Sequence, residues 1–554
     1  MKNLHYITMV ALLAFFGLFL LLPLETVLER GLDPAVIAEV CRSPVCREGL
    51  LNSLLIALAT TALVGAIALP LAWLQHRWDF RGKAWVTPLL LLPLILPPFV
   101  GALGIQQIFG HYGALNSALG HVGIAPIPWL DGNGRFWVVC LVEALHLYPI
   151  LYLNIAAAFA NLDPAYDEAA RCLGASGWRR FWKIQLPLVR PGVFAGGTLV
   201  LIWSFTELGT PLMLGYHRVT PVQIFNGILE LDANPLPYVL VAVLLAASAG
   251  LYAAARLING SPAAAATKGT GNATATARLS GWRGLLALLP FLGIAGLAVL
   301  PHLGIVLLAS SGDWYQTELP TTWTLEHFRN ALSHPMVVPS IINSLRYSLL
   351  AMVICVAAGL ATALLAVRWK PRGWQVLDTL AMLPLAVPGL VIAFGYLSMA
   401  TRFPWLRAWL DPFRDPTLLL AAAYAMRRLP YAVRVAAAGL EQIPEEFELA
   451  ARNLGAGLWR TLRKITGPLL ITSLAVAALF AFSFSMLEVS DSLLLAQKRE
   501  FYPIPRAIYD LSQVLGSGLR LACALGTWAM LFLAATLALA AALIGRKLGG
   551  LFRM

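Results

Sequence analysis

Glu168-Ala169-Ala170-Arg171-Cys172-Leu173-Gly174 and, 281 residues further on, Leu449-Ala450-Ala451-Arg452-Asn453-Leu454-Gly455 are two copies of one segment. The same offset pairs Trp178 with Trp459, Lys183-Ile184 with Lys464-Ile465, Pro187 with Pro468 and Glu207 with Glu488. Upstream the offset is 291, which maps Asn52-Ser53 onto Asn343-Ser344, and Leu92-Pro93-Leu94 and Pro97 onto Leu383-Pro384-Leu385 and Pro388. Agreement at so many specific positions marks an internal duplication, with one loop shortened in the second copy.

Around these segments the chain is very apolar. Of 554 residues, 59% are hydrophobic and 12% charged, whereas soluble domains carry about 25% charged residues. A protein of this composition could not cover its surface in water, so the excess faces lipid. The apolar runs are helix-length and lack strand alternation, which predicts an all-α membrane protein. They fall near 6–24, 50–74, 85–109, 136–159, 191–214 and 236–256, then near 284–309, 341–367, 375–400, 417–440, 468–496 and 520–545. That is about twelve spans, six in each copy. An even number of spans separates the copies, so both run in the same sense, with a pseudo-axis along the membrane normal. Ile7 to Leu24 has signal-peptide character but no cleavage site, and is read as a retained first helix.

The net charge of +12 sits in short clusters at alternate loops: Arg77, Arg81 and Lys83; Arg171, Arg179, Arg180 and Lys183; Arg368, Lys370 and Arg372; Arg452, Arg460, Arg463 and Lys464; and Arg546, Lys547 and Arg553. This is the cytoplasmic-loop signature rather than a nucleic-acid surface, and it places both termini in the cytoplasm. Residues 259–283 are mostly small, without apolar periodicity, and read as a cytoplasmic tether between halves at 1–258 and 284–554. Six cysteines give no metal spacing; Cys41 and Cys46 share an extracytoplasmic loop where a disulfide is permitted but not demanded. No G-x-x-x-x-G-K-[ST] phosphate cradle occurs, so this chain is not read as an ATP-hydrolysing enzyme.

Glu168-Ala169-Ala170, Gly174, Ile184, Leu186 and Pro187 match without gaps the EAA loop, E-A-A-x3-G-x9-I-x-L-P, of binding-protein-dependent ABC permeases of the type I importer fold. The second copy, Ala450, Ala451, Gly455, Ile465 and Pro468, resembles it with two departures: Leu449 replaces the glutamate, beside Glu448, and Gly467 replaces leucine. The loops are placed at 160–190 and 441–468. The resemblance implies that each loop docks on an ATPase subunit, with unequal strength in the two halves. It further implies an ATPase homodimer that holds the ATP and magnesium, no cofactor in this chain, and a periplasmic or lipid-anchored solute-binding protein. The setting would be a bacterial or archaeal inner membrane. Fused halves, and Trp203 to Pro211, resemble the iron(III) and thiamine branch. The implied cargo is iron(III) or an iron complex, with thiamine, a phosphonate, a polyamine or another small solute as alternatives.

Ionisable residues at membrane depth usually face a cavity or a partner. Glu143 and His146 lie in the fourth run, Arg427, Arg428 and Arg434 in the tenth, Glu207 in the fifth, and Glu488 and Asp491 in the eleventh. They either line a translocation path or form interhelical salt bridges, Arg427 or Arg428 with Glu488 or Asp491. Unpaired arginines on the path would repel bare ferric ion. Pro93, Pro97 and Pro98, with Pro384 and Pro388, break the third and ninth helices, near the path or for packing alone. A major-facilitator-type secondary transporter shares the twelve-helix plan but leaves the paired Ala-Ala-x3-Gly loops unexplained. A membrane-embedded enzyme lacks a catalytic constellation.

Overall fold

The computed structural model describes residues 2–228, 235–259 and 277–544. The predicted basic cluster at Arg546, Lys547 and Arg553, and most of the tether, lie outside the described residues. Among the described residues nine helices are long and apolar enough to cross a membrane. Two further helix pairs are apolar enough when taken together and are sharply bent at a short break: Lys83–Leu94 with Pro98–His121, by 87°, and Trp374–Leu385 with Gly389–Arg402, by 106°. The expected run at 417–440 is the helix Thr417–Glu441, whose arginines lower its apolarity. Each of the twelve apolar runs thus corresponds to a helix or a broken helix. Two short strand pairs, Trp78–Asp79 with Ala277–Arg278 and Ser311–Asp313 with Thr322–Trp323, are the only sheet among the described residues.

The breaks fall where the prolines predict. Pro97 has no N–H for the carbonyl of Pro93 one turn earlier, and His146 Nδ1 takes that carbonyl instead, at 2.7 Å. In the second copy the bend lies at Ala386–Pro388, ahead of Gly389.

The compact units are discontinuous in sequence. One contains the described residues 45–222, 247–259 and 277–328. Its core gathers Tyr148, Tyr152, Phe159 and Phe291. Here the seventh span, Trp282–Ala309, crosses the third at backbone contact: a Cβ on Gly304 would lie 3.0 Å from the Gly104 Cα. The other unit contains the described residues 2–44, 223–228, 235–246 and 329–544. In it the first span lies along Gly389–Arg402. Tyr396 donates to the Phe19 carbonyl at 2.8 Å, Arg402 pairs with Glu29 at 2.9 Å, and Gly395 packs on Pro23. The helix Thr417–Glu441 forms the centre of this unit. Gly359 lets Ala432 approach and Gly439 lets Ser473 approach. Compactness therefore groups the first and seventh spans differently from the contiguous halves 1–258 and 284–554. No disulfide joins Cys41 to Cys46.

Candidate functional site

Both copies of the Ala-Ala-x3-Gly segment fold as a short helix, a left-handed glycine and a turn back into the next span. The first helix, Pro164–Cys172, starts with Asp163 accepting from the Ala165 N–H at 2.9 Å. It ends where Gly174 adopts φ +72°, and Ala175 N–H reaches the Ala170 carbonyl at 3.0 Å. The second, Glu445–Asn453, ends at Gly455 with φ +80° and the matching bond from Ala456 to Ala451 at 2.9 Å. Glycine is needed here because a Cβ disfavours that conformation. Each return passes through one π turn, Phe181–Gln185 or Leu462–Thr466, just before Pro187 or Pro468. Those prolines sit in a first helical turn, where a missing N–H costs little. Ile184 and Ile465 are half-buried within the π turns, and Leu186 packs against the core.

The alanines divide their work. Ala170 and Ala451 are buried against the body, while Ala169 and Ala450 face outward with Glu168 and Leu449. Beyond them, Leu173 is 88% and Leu454 89% exposed. Trp178 and Trp459, and Tyr166 and Phe447, are likewise exposed at matching positions. Each loop therefore offers a small-residue helix face flanked by apolar side chains, a surface suited to close protein contact.

What holds each loop is an acid one position before the motif glutamate. The 281-residue offset aligns Glu448 with Asp167, not with Glu168. Asp167 accepts from Arg180 at 3.2 Å and Gln185 at 3.0 Å. Glu448 is buried, accepts from Thr466 at 2.9 Å and pairs with Arg368 at 3.3 Å. Arg368, with a 6% exposed side chain, also reaches Glu445 at 3.3 Å and the carbonyls of Leu440 at 2.8 Å and Ile443 at 2.6 Å. Its counterpart at offset 291, Arg77, instead stacks on Trp73 and Trp78. In the sequence Arg180 and Arg368 stand out only as members of basic clusters, and Asp167, Gln185 and Thr466 do not stand out, although the two offsets, applied outside the motif, align Asp167 with Glu448 and Arg77 with Arg368.

The polar residues at membrane depth are largely paired within each copy. Glu143 is buried and accepts from Ser204 and from Thr60 at 3.5 Å. Glu207 accepts from the N–H groups of Gly209 at 3.1 Å and Thr210 at 3.3 Å. Glu488 is buried and takes Arg427 on one oxygen and Arg428 on the other. Asp491 is fully buried beside this group, and Tyr424 meets Ser492 at 2.6 Å. Arg434 is exposed. The two arginines therefore share one carboxylate, which offsets one of their two charges.

The family described as "binding-protein-dependent transport system inner membrane component" matches residues 56–261 and again 355–549. The putative ferric transport system permease protein FbpB 1 of Haemophilus influenzae is 26% identical over 468 residues, covering 80% of this chain and 69% of that protein. The Fe(3+)-transport system permease protein FbpB 2 of the same organism is 25% identical over 493 residues, covering 87% and 88%. The probable molybdenum ABC transporter permease protein HVO_B0370 of Haloferax volcanii is 32% identical over 234 residues, covering 42% and 83%.

Proposed function

Because this chain belongs to the family of binding-protein-dependent transport system inner membrane components, we propose that it is the fused permease of an ABC importer for iron(III), carried as the ion or as a small complex. The observation that carries the reading is the pair of docking loops 281 residues apart, each closed by a positive-φ glycine and tipped by an exposed leucine. The chain itself is not an enzyme: ATP hydrolysis belongs to a separate ATPase. ATP and magnesium are held there, and an ATPase homodimer grips both loops from the cytoplasm, where both chain termini also lie. A solute-binding protein delivers cargo at the opposite face of a bacterial or archaeal inner membrane.

The cargo reading rests on architecture. The relatives named for ferric transport match both halves of this chain, whereas the one named for molybdenum matches a stretch the length of one half. Glu488 offsets one of the two charges of Arg427 and Arg428, which weakens the electrostatic objection to a ferric cargo. Of the eight candidate path residues, Glu207 and Arg427 are the half-buried acid and base we assign to the path. His146 caps the third-helix break. Glu143, Arg428, Glu488 and Asp491 are the buried groups behind the path, and Arg434 faces outward.

In proteoliposomes containing the chain, its ATPase and its binding protein, iron(III) uptake is expected only when all three and ATP are present. Uptake driven by an ion gradient without the ATPase would replace this reading with a secondary transporter. ATP-dependent uptake of molybdate but not iron(III) would overturn the cargo alone.

A further inference from the structure

The duplicated Asn-Ser pairs hold a second matched feature, at the end of each half opposite the docking loops. One span, Gly177–Phe205 or Leu458–Met486, separates each docking loop from a short helix, Thr220–Gly227 or Ile504–Ser512. Asn52 donates to the Arg218 carbonyl at 3.0 Å, and Ser53 accepts from the Thr220 N–H at 3.0 Å. In the second copy Asn343 donates to the Tyr502 carbonyl at 3.2 Å, and Ser344 accepts from the Ile504 N–H at 2.8 Å. These bonds fix the correspondence: Thr220 matches Ile504, Pro221 matches Pro505, and Phe225 matches Tyr509.

Phe225 and Tyr509 are in contact, edge to face, with ring centroids 5.7 Å apart. A residue and its repeat partner lie at equal distances from the pseudo-axis, so each ring lies about half that separation from it. In a parallel repeat this axis runs along the membrane normal, the direction cargo must travel. Arg506 seals the contact. Its guanidinium lies 5.9 Å from the Phe225 ring, 5.1 Å from Tyr502 and 5.6 Å from Tyr509, and donates to the Leu493 carbonyl at 3.0 Å. Nothing in the first copy repeats this charge, since the position matching Arg506 is Val222.

We propose that Phe225 and Tyr509 are the outer gate of the importer, latched by Arg506 from one half only. The proposal rests on the importer reading and adds to it the residues that must part before cargo enters. The hydroxyl and amide of each Asn-Ser pair tie a gate helix to the second or eighth span, so movement of those spans pulls the rings apart. The aromatic pair closes the path by packing. The guanidinium makes closure depend on a desolvated cation–π contact, which water would compete away once the rings separate.

The test uses the complete transporter with Phe225→Cys and Tyr509→Cys, singly and together. Without nucleotide, a short thiol cross-linker is expected to bridge only the double variant, abolishing uptake of iron(III) loaded on the binding protein, with recovery on reduction. The bridge is expected to fail to form once ATP and vanadate trap the ATPase closed. Arg506→Ala is expected to raise ATP hydrolysis without binding protein about thirtyfold, the shift that one desolvated cation–π contact represents. Undiminished uptake in the bridged double variant, or no bridge without nucleotide, overturns the gate. Unchanged basal hydrolysis in a folded Arg506→Ala protein overturns the latch. ATPase association, measured alongside, reports on the importer reading independently of all three.

Discussion

Arg368→Ala is expected to abolish ATP-driven uptake and to lower the thermal unfolding midpoint of the chain in detergent. Arg368 makes four hydrogen bonds, to Glu448, Glu445 and the carbonyls of Leu440 and Ile443, and its side chain is 6% exposed. Removing it leaves Glu448 buried with only Thr466 at hydrogen-bond distance and Arg452 at 3.7 Å. Breaking a buried ion pair in this way costs about 3–5 kcal/mol, because the remaining charge loses its compensation. The cost falls on the second docking loop, which would detach from the eighth span instead of moving with it. Arg368→Lys keeps the charge but not the planar fork, and should recover only part of the uptake. The equivalent change in the first loop, Asp167→Ala, is expected to be milder. Asp167 is 27% exposed and pairs with Arg180, whose side chain is only 6% exposed; leaving that buried donor without its acceptor costs about 1–3 kcal/mol, less than the loss of the Arg368 anchor. Proteoliposome uptake and thermal unfolding, measured on all three variants, check this order. Equal effects in the two loops would show that the anchors are interchangeable.

The second large effect belongs to Glu488. Glu488→Ala removes the carboxylate that Arg427 and Arg428 share. Arg428, only 9% exposed, keeps the Phe484 carbonyl at 3.2 Å and the Phe484 ring. An uncompensated guanidinium here again costs about 3–5 kcal/mol, and the expected result is little folded protein in the membrane. A quadruple variant, Arg427→Met, Arg428→Met, Glu488→Met and Asp491→Asn, removes both arginines together with the two buried carboxylates beside them. Such replacements are often neutral or stabilising, so folding should return. Uptake then decides the role. If it returns too, the cluster only ties the tenth helix to the eleventh; if folding returns without uptake, Arg427 serves the path as assigned.

Much of the architecture is legible in the sequence because the membrane imposes it. A helix must satisfy its own backbone in lipid, so twelve apolar runs become twelve helices or broken helices. Pro97 and Pro388 mark the breaks because proline cannot donate. The docking loops are legible because Gly174 and Gly455 occupy a conformation that other residues resist. The tenth run is the instructive case. Its three arginines lower its apolarity, yet it is a membrane-length helix, because at Thr417–Glu441 packing replaces lipid around most of it. What was not legible depends on distance between remote residues. Nothing local distinguishes Asp167 from Glu168: both are acids on one short helix, and only the body decides which is held and which faces out. Arg77 and Arg368 are repeat partners with different fates, since tryptophans flank Arg77 on either side while Arg368 finds Glu448. The grouping of the first span with the ninth likewise rests on Gly395, Tyr396 and Arg402, whose partners lie more than 370 residues away.

The most direct measurement concerns the loop tips. Leu173→Asp and Leu454→Asp each place a charge where the side chain is 88% or 89% exposed, so the folded chain should melt unchanged. Each single variant is predicted to weaken ATPase association. The double variant should neither retain the ATPase through purification nor take up cargo. Uptake at the unsubstituted rate in that double variant would contradict the account.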